Sequence, residues 1–378
     1  MAQEPYVSII VPVRNAERTM DKTLSYLMEL DYPADRLELI LADGGSTDAT
    51  VAIIKIRQRQ NPNIKLVEVA DCRTPGHARN AALKVAKGEF ILFTDGDCAP
   101  NSDWVRRIIE PFAMDSQIGG VGGEVLTLRT DSDNDTEAYC EQVRFLSVSG
   151  RCGVEESGYY PELMENAAHE VNGGDYSPFF ATANAAFRRE AIEVIGGQFW
   201  DEPTGEDVDF SLRVLKAGYR LYFAKEAVVR HMHRVTLRSY LRQWHGYGYG
   251  HPLLVKKHAS EGMEVVLQFK EPRFMHLPGP LKGIVHLGAF HLMHLSALAA
   301  VGSALALPVA PIAAPIFGTA MVAFGMSVGS YFSPCFKMSP TEKALTWCKL
   351  RYLTNWAFMR GALEGSMKFG ALCVEPSW

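Results

Sequence analysis

The sequence predicts an α/β fold: a doubly wound, mostly parallel sheet with a Rossmann-like nucleotide half, followed by C-terminal amphipathic and transmembrane helices. Three observations carry that prediction. Apolar runs of strand length alternate with stretches of helix length through the first hundred residues, which implies parallel strands joined by crossover helices. Each run stops at a loop of Asp, Gly and Asn, so these loops gather at the carboxyl edge of the sheet, where open sheets bind ligands. Gly283 to Leu307 and Val309 to Phe332 carry no charge if the histidines are neutral, and each is about long enough to cross a bilayer core.

Taken in order, Val7 to Val13 is a first buried strand, and Arg14-Asn15-Ala16-Glu17 opens a helix over Arg18 to Leu30. Leu37 to Leu41 is a second strand ending in Ala42-Asp43-Gly44-Gly45-Ser46-Thr47-Asp48, with Asp48 as the N-cap of a helix through Arg59. Ile64 to Val69 is a third strand and Ala78 to Ala86 a third helix, stopped by Gly88. Phe90 to Phe93 then ends abruptly at Thr94-Asp95-Gly96-Asp97. Two carboxylates this close repel unless a cation neutralises them, and oxygen ligands suit Mg²⁺ or Mn²⁺.

Gly119 to Gly123 is expected to form a bend before a strand over Glu124 to Leu128. Arg129 to Tyr176 is acidic and punctuated by glycine, with a helix around Thr136 to Ser147, and has the character of a lid or acceptor loop. Phe179 to Phe187 returns as a strand, and Gly196-Gly197 ends a helix over Glu190 to Ile195. Glu206, Asp207 and Asp209 open a helix that stops at Gly218; the positive end of its dipole favours ionised acids there, and one of them could take a proton from an attacking hydroxyl. After the strand Arg220 to Ala224, the extended run Val228 to Arg234 puts His231 and His233 on one side, where a histidine could complete a cation site begun by Asp97.

The shared edge explains these residue types. Asp43 could accept a base N–H or a ribose hydroxyl, Arg79 could reach a pyrophosphate, and Asp95 and Asp97 could hold the bridging cation, so the ensemble asks for a nucleoside diphosphate. Neither Gly-x-x-x-x-Gly-Lys-Ser/Thr nor Gly-x-Gly-x-x-Gly follows the first strand, which sets the chain apart from other nucleotide folds. A net charge of −5 and a pI near 6.1 argue against nucleic acid as the main partner. The cysteines are scattered, with no Cys-x-x-Cys, so neither a disulfide framework nor a zinc site is expected, and a reducing cytosol suits the catalytic part. No basic region followed by an apolar one marks the N-terminus as a signal peptide.

Ser239 to Gly250 mixes aromatics, cations and glycines, and with Lys256, Lys257, Lys270, Arg273 and Lys282 it is expected to lie on the cytosolic leaflet. Pro308, Pro311 and Pro315 divide the apolar tail into two spans or one re-entrant hairpin, with His286, His291 and His294 along a polar seam; Lys337, Lys343, Lys349 and Arg351 put both ends in the cytosol. The expected organisation is a catalytic domain over 1–233, an interfacial segment over 234–282, the apolar pair over 283–333 and an amphipathic tail over 334–378, at the inner membrane with the catalytic domain in the cytosol. A membrane assembly or transport component with a nucleotide-sensing domain, and a nucleotidyltransferase, are the competing readings.

Taken together, Val11-Pro12-Val13-Arg14-Asn15, Ala42 to Asp48, Gly76-His77-Ala78-Arg79-Asn80, Thr94-Asp95-Gly96-Asp97 and Gly205-Glu206-Asp207 resemble the inverting family-two glycosyltransferases of GT-A fold. The match covers Tyr6 to Gly250, and the His231 to Gly250 segment and apolar tail look similar to bacterial exopolysaccharide and glycolipid enzymes, including the succinoglycan type. The resemblance implies a metal-dependent transfer of a sugar from a nucleoside diphosphate, UDP above all, to a lipid-linked or glycolipid acceptor at the membrane. Pro12, Val13, Arg14, Asn15, Glu17, Asp43, Arg79 and Asp95 would bind the nucleotide; Asp97, Asp95 and His231 would hold Mg²⁺ or Mn²⁺; Asp207 would be the catalytic base; and Glu206, Gln243 and Trp244 would face the acceptor. Two positions depart from the family pattern. The acid that usually follows the asparagine of the first loop stands one place later, at Glu17, and Gln243-Trp244 lacks the arginine of the Gln-x-x-Arg-Trp of polymerising members, which points away from processive synthesis.

Overall fold

Strict alternation governs the first hundred residues: β1 (Val7–Val13), α1 (Glu17–Met28), β2 (Leu37–Asp43), α2 (Thr50–Gln60), β3 (Ile64–Glu68), α3 (Pro75–Leu83) and β4 (Phe90–Phe93). This is a computed structural model that describes residues 3–152, 154–160, 179–268 and 273–375. The four strands pair in parallel in the order β3-β2-β1-β4. β1, β2 and β4 are buried on both faces apart from the half-buried Pro12, which is why they read as unbroken apolar runs rather than alternating ones.

Beyond β4 the sheet becomes mixed. There follow β5 (Cys98–Pro100), α4 (Trp104–Ile109), α5 (Pro111–Met114), β6 (Ile118–Thr127), α6 (Asp135–Gln142), α7 (Val148–Cys152), β7 (Gly158–Tyr160), β8 (Ala185–Arg188), α8 (Arg189–Val194), α9 (Glu206–Lys216) and β9 (Arg220–His231). β8 lies antiparallel between β4 and β6, β9 runs parallel to β6, and β5 and β7 pair antiparallel with β9. The result is the α/β class expected from the sequence, with apolar clusters on both faces of the sheet.

Local differences have identifiable causes. Gly119 to Gly123 do not bend ahead of a strand; they lie inside β6. A Cβ at Gly122 would stand 2.0 Å from Cδ1 of Phe180, so glycine is required where an aromatic ring lies on the backbone. Phe179 to Phe187 is a strand only from Ala185. Just before it, the buried Asn184 accepts a hydrogen bond from Trp104 Nε1 (2.8 Å) and donates to the carbonyls of Glu124 and Ala227 (2.8 and 2.7 Å), so a side chain does what a ladder would have done. Of the expected lid, residues 161–178 lie outside the described residues, and the helix expected to reach Ser147 ends at Gln142. Lys270 is also outside them.

Met1–Thr236 and Leu237–Trp378 are separate units. The second holds α10 (Leu237–His258), β10 (Met263–Leu267), β11 (Arg273–Leu277), β12 (Gly283–Leu287), α11 (Ala289–Ala306), α12 (Ala313–Phe332), α13 (Ala344–Phe369) and β13 (Leu372–Val374). Its sheet runs β11-β10-β12-β13. Gly283 to Leu287, expected at the start of the first apolar span, are therefore a strand. α10 and α13 pack closely because Gly361 and Gly365 admit the carbonyls of His245 and Tyr249. This packing uses part of the aromatic and glycine content of Ser239 to Gly250: Tyr240 and Trp244 are buried, and Gly248 meets the carbonyl of Phe358.

α11 and α12 are long and apolar enough to cross a membrane. Small and hydroxylated residues are among their buried positions, and several large apolar residues are exposed. The buried positions of α11 include Ser296, Ala300 and Ser303, and those of α12 are Ala313, Ala320, Ser327 and Tyr331, whereas Leu298, Leu305 and Met326 are 70%, 78% and 71% exposed. His291 lies near Met359 Sδ (3.0 Å) and His294 near the Tyr352 hydroxyl (3.1 Å), so the histidines of this stretch face protein.

Candidate active site

The turn between β4 and β5 is held from three directions. The carbonyl of Gly96 accepts hydrogen bonds from the hydroxyls of Thr19 (2.7 Å) and Thr23 (3.2 Å) on α1, the amide of Cys98 donates to the carbonyl of Asp95 (3.1 Å), and that of Met232 donates to the carbonyl of Asp97 (2.8 Å). A Cβ at Gly96 would stand 2.9 Å from Val13 Cγ1, which keeps this turn against the end of β1. With the backbone so pinned, both carboxylates project at the carboxyl edge.

His231, at the end of β9, brings Nε2 to 3.3 Å from Asp97 Oδ1. That is longer than a charge-assisted hydrogen bond of about 2.7–2.9 Å and suits two neighbouring ligands of one ion. Asp95, Asp97, Cys98 and His231 each offer a ligand atom, all within 4.8 Å of one another. The donor set therefore fits a divalent cation. His233 is turned away, bonded through Nε2 to the Thr127 hydroxyl (2.9 Å), and burial, with the charges of His231 and Arg234, keeps it neutral.

Arg79 occupies a different place from the one its residue type suggests. It is 3% exposed, its Nη1 donates to Glu206 Oε1 (2.6 Å) and its Nη2 to Asp95 Oδ1 (2.9 Å). Instead of reaching a pyrophosphate, it ties the Asp95 turn to the start of α9. The same junction is locked by Asn80, whose Nδ2 donates to the carbonyl of Phe199 (2.8 Å) and whose Oδ1 accepts from its amide (2.7 Å). Gly205, at φ +78°, turns the chain so that Glu206 and Asp207 open the helix. Asp209 is buried and paired with Arg213 (2.8 Å), a structural acid. Burial, with the charge of Glu206 beside it, pushes Asp207 up to about 7 against the pull of Arg79. Arg79→Met is expected to leave Asp95 and Glu206 without their common cation and to lower unfolding stability by about 3–5 kcal/mol. Denaturant titration checks this, and a loss under about 1 kcal/mol would show that the bridge contributes little.

Asp43 is buried at the end of β2, where Oδ2 accepts from the amides of Gly45 and Ser46 (both 3.0 Å). Its Oδ1 is buried with no hydrogen-bond partner, which fits a group that waits for a donor on a ligand. Pro12 and Val13 lie alongside on β1, opposite Ala42 and Asp43. Arg14 and Asn15 are exposed. Asn15 Oδ1 accepts from the Thr47 amide (2.8 Å) and Glu17 Oε2 from that of Ala49 (3.1 Å), so both brace the neighbouring loop and Glu17 serves the start of α2. Gln243 and Trp244 belong to α10 in the second unit. There Gln243 Nε2 donates to the Tyr247 hydroxyl (2.9 Å), and Trp244 is packed against Tyr240, Tyr247 and Phe358, a core position rather than an open sugar platform.

Cys98 and the two threonines of α1 were not signalled by the sequence. Only the adjacency of Cys98 to Asp97 hinted at its place.

Residues 8–196 match glycosyl transferase family 2, and residues 161–335 match glycosyl transferase family group 2. A dolichyl N-acetyl-α-D-glucosaminyl phosphate 3-β-D-2,3-diacetamido-2,3-dideoxy-β-D-glucuronosyltransferase of Methanococcus voltae is 24% identical over 260 residues, 67% of this chain and 74% of that one. Among solved structures, the mannosyltransferase PcManGT from Pyrobaculum calidifontis, in complex with GDP-Man and Mn²⁺, aligns with a TM-score of 0.55 at 20% identity, covering 97% of this chain and 88% of that one. Residues 1–349 of S. aureus TarS, in complex with UDP-GlcNAc, align with a TM-score of 0.50 at 16% identity, over 97% and 92% of the two chains.

Proposed function

The chain belongs to glycosyl transferase family 2, and from that premise we propose that it moves a sugar from a nucleoside-diphosphate donor, with UDP-linked sugars the first to test, to a hydroxyl on a lipid-linked acceptor, inverting the anomeric centre. The observation that carries the reading is the Arg79 bridge. One guanidinium spans the Asp95-Gly96-Asp97 turn and the Glu206-Asp207 helix start, so the donor side and a proton acceptor are held a side chain apart.

In this reading Asp43 receives a base N–H or ribose hydroxyl on its unpartnered Oδ1, and Pro12, Val13, Arg14 and Asn15 border the same end of the sheet. Asp95, Asp97 and His231 would hold Mg²⁺ or Mn²⁺, which when bound supplies positive charge to the departing diphosphate. Asp207 takes the proton of the acceptor hydroxyl as it attacks the anomeric carbon from the face opposite the diphosphate. Its raised proton affinity suits that task near neutral pH. Glu206, committed to Arg79, stands beside Asp207, and its negative charge raises the proton affinity of that base.

A membrane-presented acceptor is supported by two observations. The relative from Methanococcus voltae is named for a dolichyl-linked acceptor. Small residues (Ser296, Ala300, Ser303, Ala313, Ala320 and Ser327) are among the buried positions of α11 and α12, while Leu298, Leu305 and Met326 face outward, as between helices in lipid. At 18 and 20 residues the helices are about 27 and 30 Å long, close to the thickness of a hydrocarbon core. The inner membrane, with the catalytic unit on its cytosolic side, is the proposed location.

The full chain, purified in detergent and offered a panel of sugar nucleotides, is expected to release nucleoside diphosphate only when membrane lipid is added and to label that lipid. Release of pyrophosphate, or no transfer from any donor, would overturn the proposal.

A further inference from the structure

The cluster at the sheet edge contains a fourth side chain for which sugar transfer gives no role. Cys98 follows Asp97 directly and opens β5, where its register partner across the antiparallel pair is His231. Opposed residues of an antiparallel pair project to the same face, their Cβ atoms about 4.5–5.5 Å apart. The Cys98 sulfur accordingly falls in one group with ligand atoms of Asp95, Asp97 and His231, no wider than 4.8 Å. Ligands on opposite sides of an ion stand about 4.4 Å apart, twice a bond of about 2.0–2.3 Å. The group needs to contract by a few tenths of an ångström.

One further feature bears on a ligand role: His231 is buried and its Nδ1 has no hydrogen-bond partner. We propose that Cys98 is an inner ligand of the cation, so that this chain's site is a mixed oxygen, nitrogen and sulfur centre that takes a transition-metal ion in preference to Mg²⁺. The proposal rests on the cation reading of Asp95, Asp97 and His231 given above. On coordination the S–H bond breaks, its electron pair becomes the metal–sulfur bond and the proton passes to solvent.

Co²⁺ is the probe, because a thiolate on Co²⁺ gives a near-ultraviolet charge-transfer band that carboxylate and imidazole do not. The full chain with Co²⁺ is expected to show the band. Cys98→Ser is expected to lose it and to bind Co²⁺ about tenfold or more weakly, with Mg²⁺ affinity changed less than about twofold. Asp97→Asn, which keeps the thiol, is expected to lose the band as well and serves if the serine variant does not fold. Co²⁺ bound without the band, or a band that survives Cys98→Ser, overturns the assignment. Measuring sugar transfer on the same preparation separates the two readings: transfer without the band ends the role of Cys98 alone, and the band without transfer from any donor ends the proposed reaction alone.

Discussion

Asp207→Asn is expected to lower kcat by about 10³-fold while leaving donor affinity within about twofold of the parent. A positioned general base is worth about 10²–10⁴ in rate, and an amide of the same shape cannot take the proton. The side chain sits at the first turn of α9, where Asp207 Oδ1 accepts from the Val208 amide (2.9 Å), and asparagine can keep that bond. The pH profile supplies an independent check. Burial and the neighbouring Glu206 raise the folded-state proton affinity of Asp207, so the competent, deprotonated form is present above about pH 7 and is lost as pH falls through that value. In the parent, kcat/KM for the free enzyme should fall about tenfold per pH unit on the acid side, and in Asp207→Asn that limb should vanish. Near-normal turnover in the variant would remove Asp207 from the reaction.

Asp97→Asn is expected to act on the other half of the process. Replacing a charged inner ligand should weaken metal-dependent nucleotide binding by about 10²-fold or more, with little effect on metal-free binding of the base and ribose. The variant should fold, because the hydrogen bond that the Asp97 carbonyl accepts from the Met232 amide does not depend on the side chain. Calorimetry with the nucleoside diphosphate, with and without Mn²⁺, measures the difference, and equal affinities in parent and variant would end the ligand assignment. The two substitutions therefore separate cleanly: one loses rate at constant binding and the other loses binding.

The edge of the sheet was legible because it is local. Apolar runs that end in Asp43 and in Asp95-Gly96-Asp97 specify strand ends whatever the rest of the chain does, and the acids at Glu206 and Asp207 mark a helix start in the same way. Arg79 was misplaced because its residue type favours phosphate, whereas its burial depends on Glu206, 127 positions later. Cys98 was missed for a similar reason, since its partner across the sheet is His231 and antiparallel register is not written near either residue. The glycines of β6 were ambiguous in principle: a run of glycine suits a bend as well as a strand lying under Phe180 and Phe187, and only the distant rings decide. In the second unit, some of the aromatics and glycines of Ser239 to Gly250, Tyr240, Trp244 and Gly248, are the seam of two helices.

The strands that bracket α11 and α12 bear on how this protein can be handled. β12 enters the helical hairpin, β13 arrives after α13, and the two pair in parallel, with Gly283 opposite Leu372. Stopping the chain ahead of its apolar portion would remove β12 and β13 together and leave β10 as an unpaired edge open to other molecules. Shortening it to gain solubility would trade one greasy surface for a sticky one.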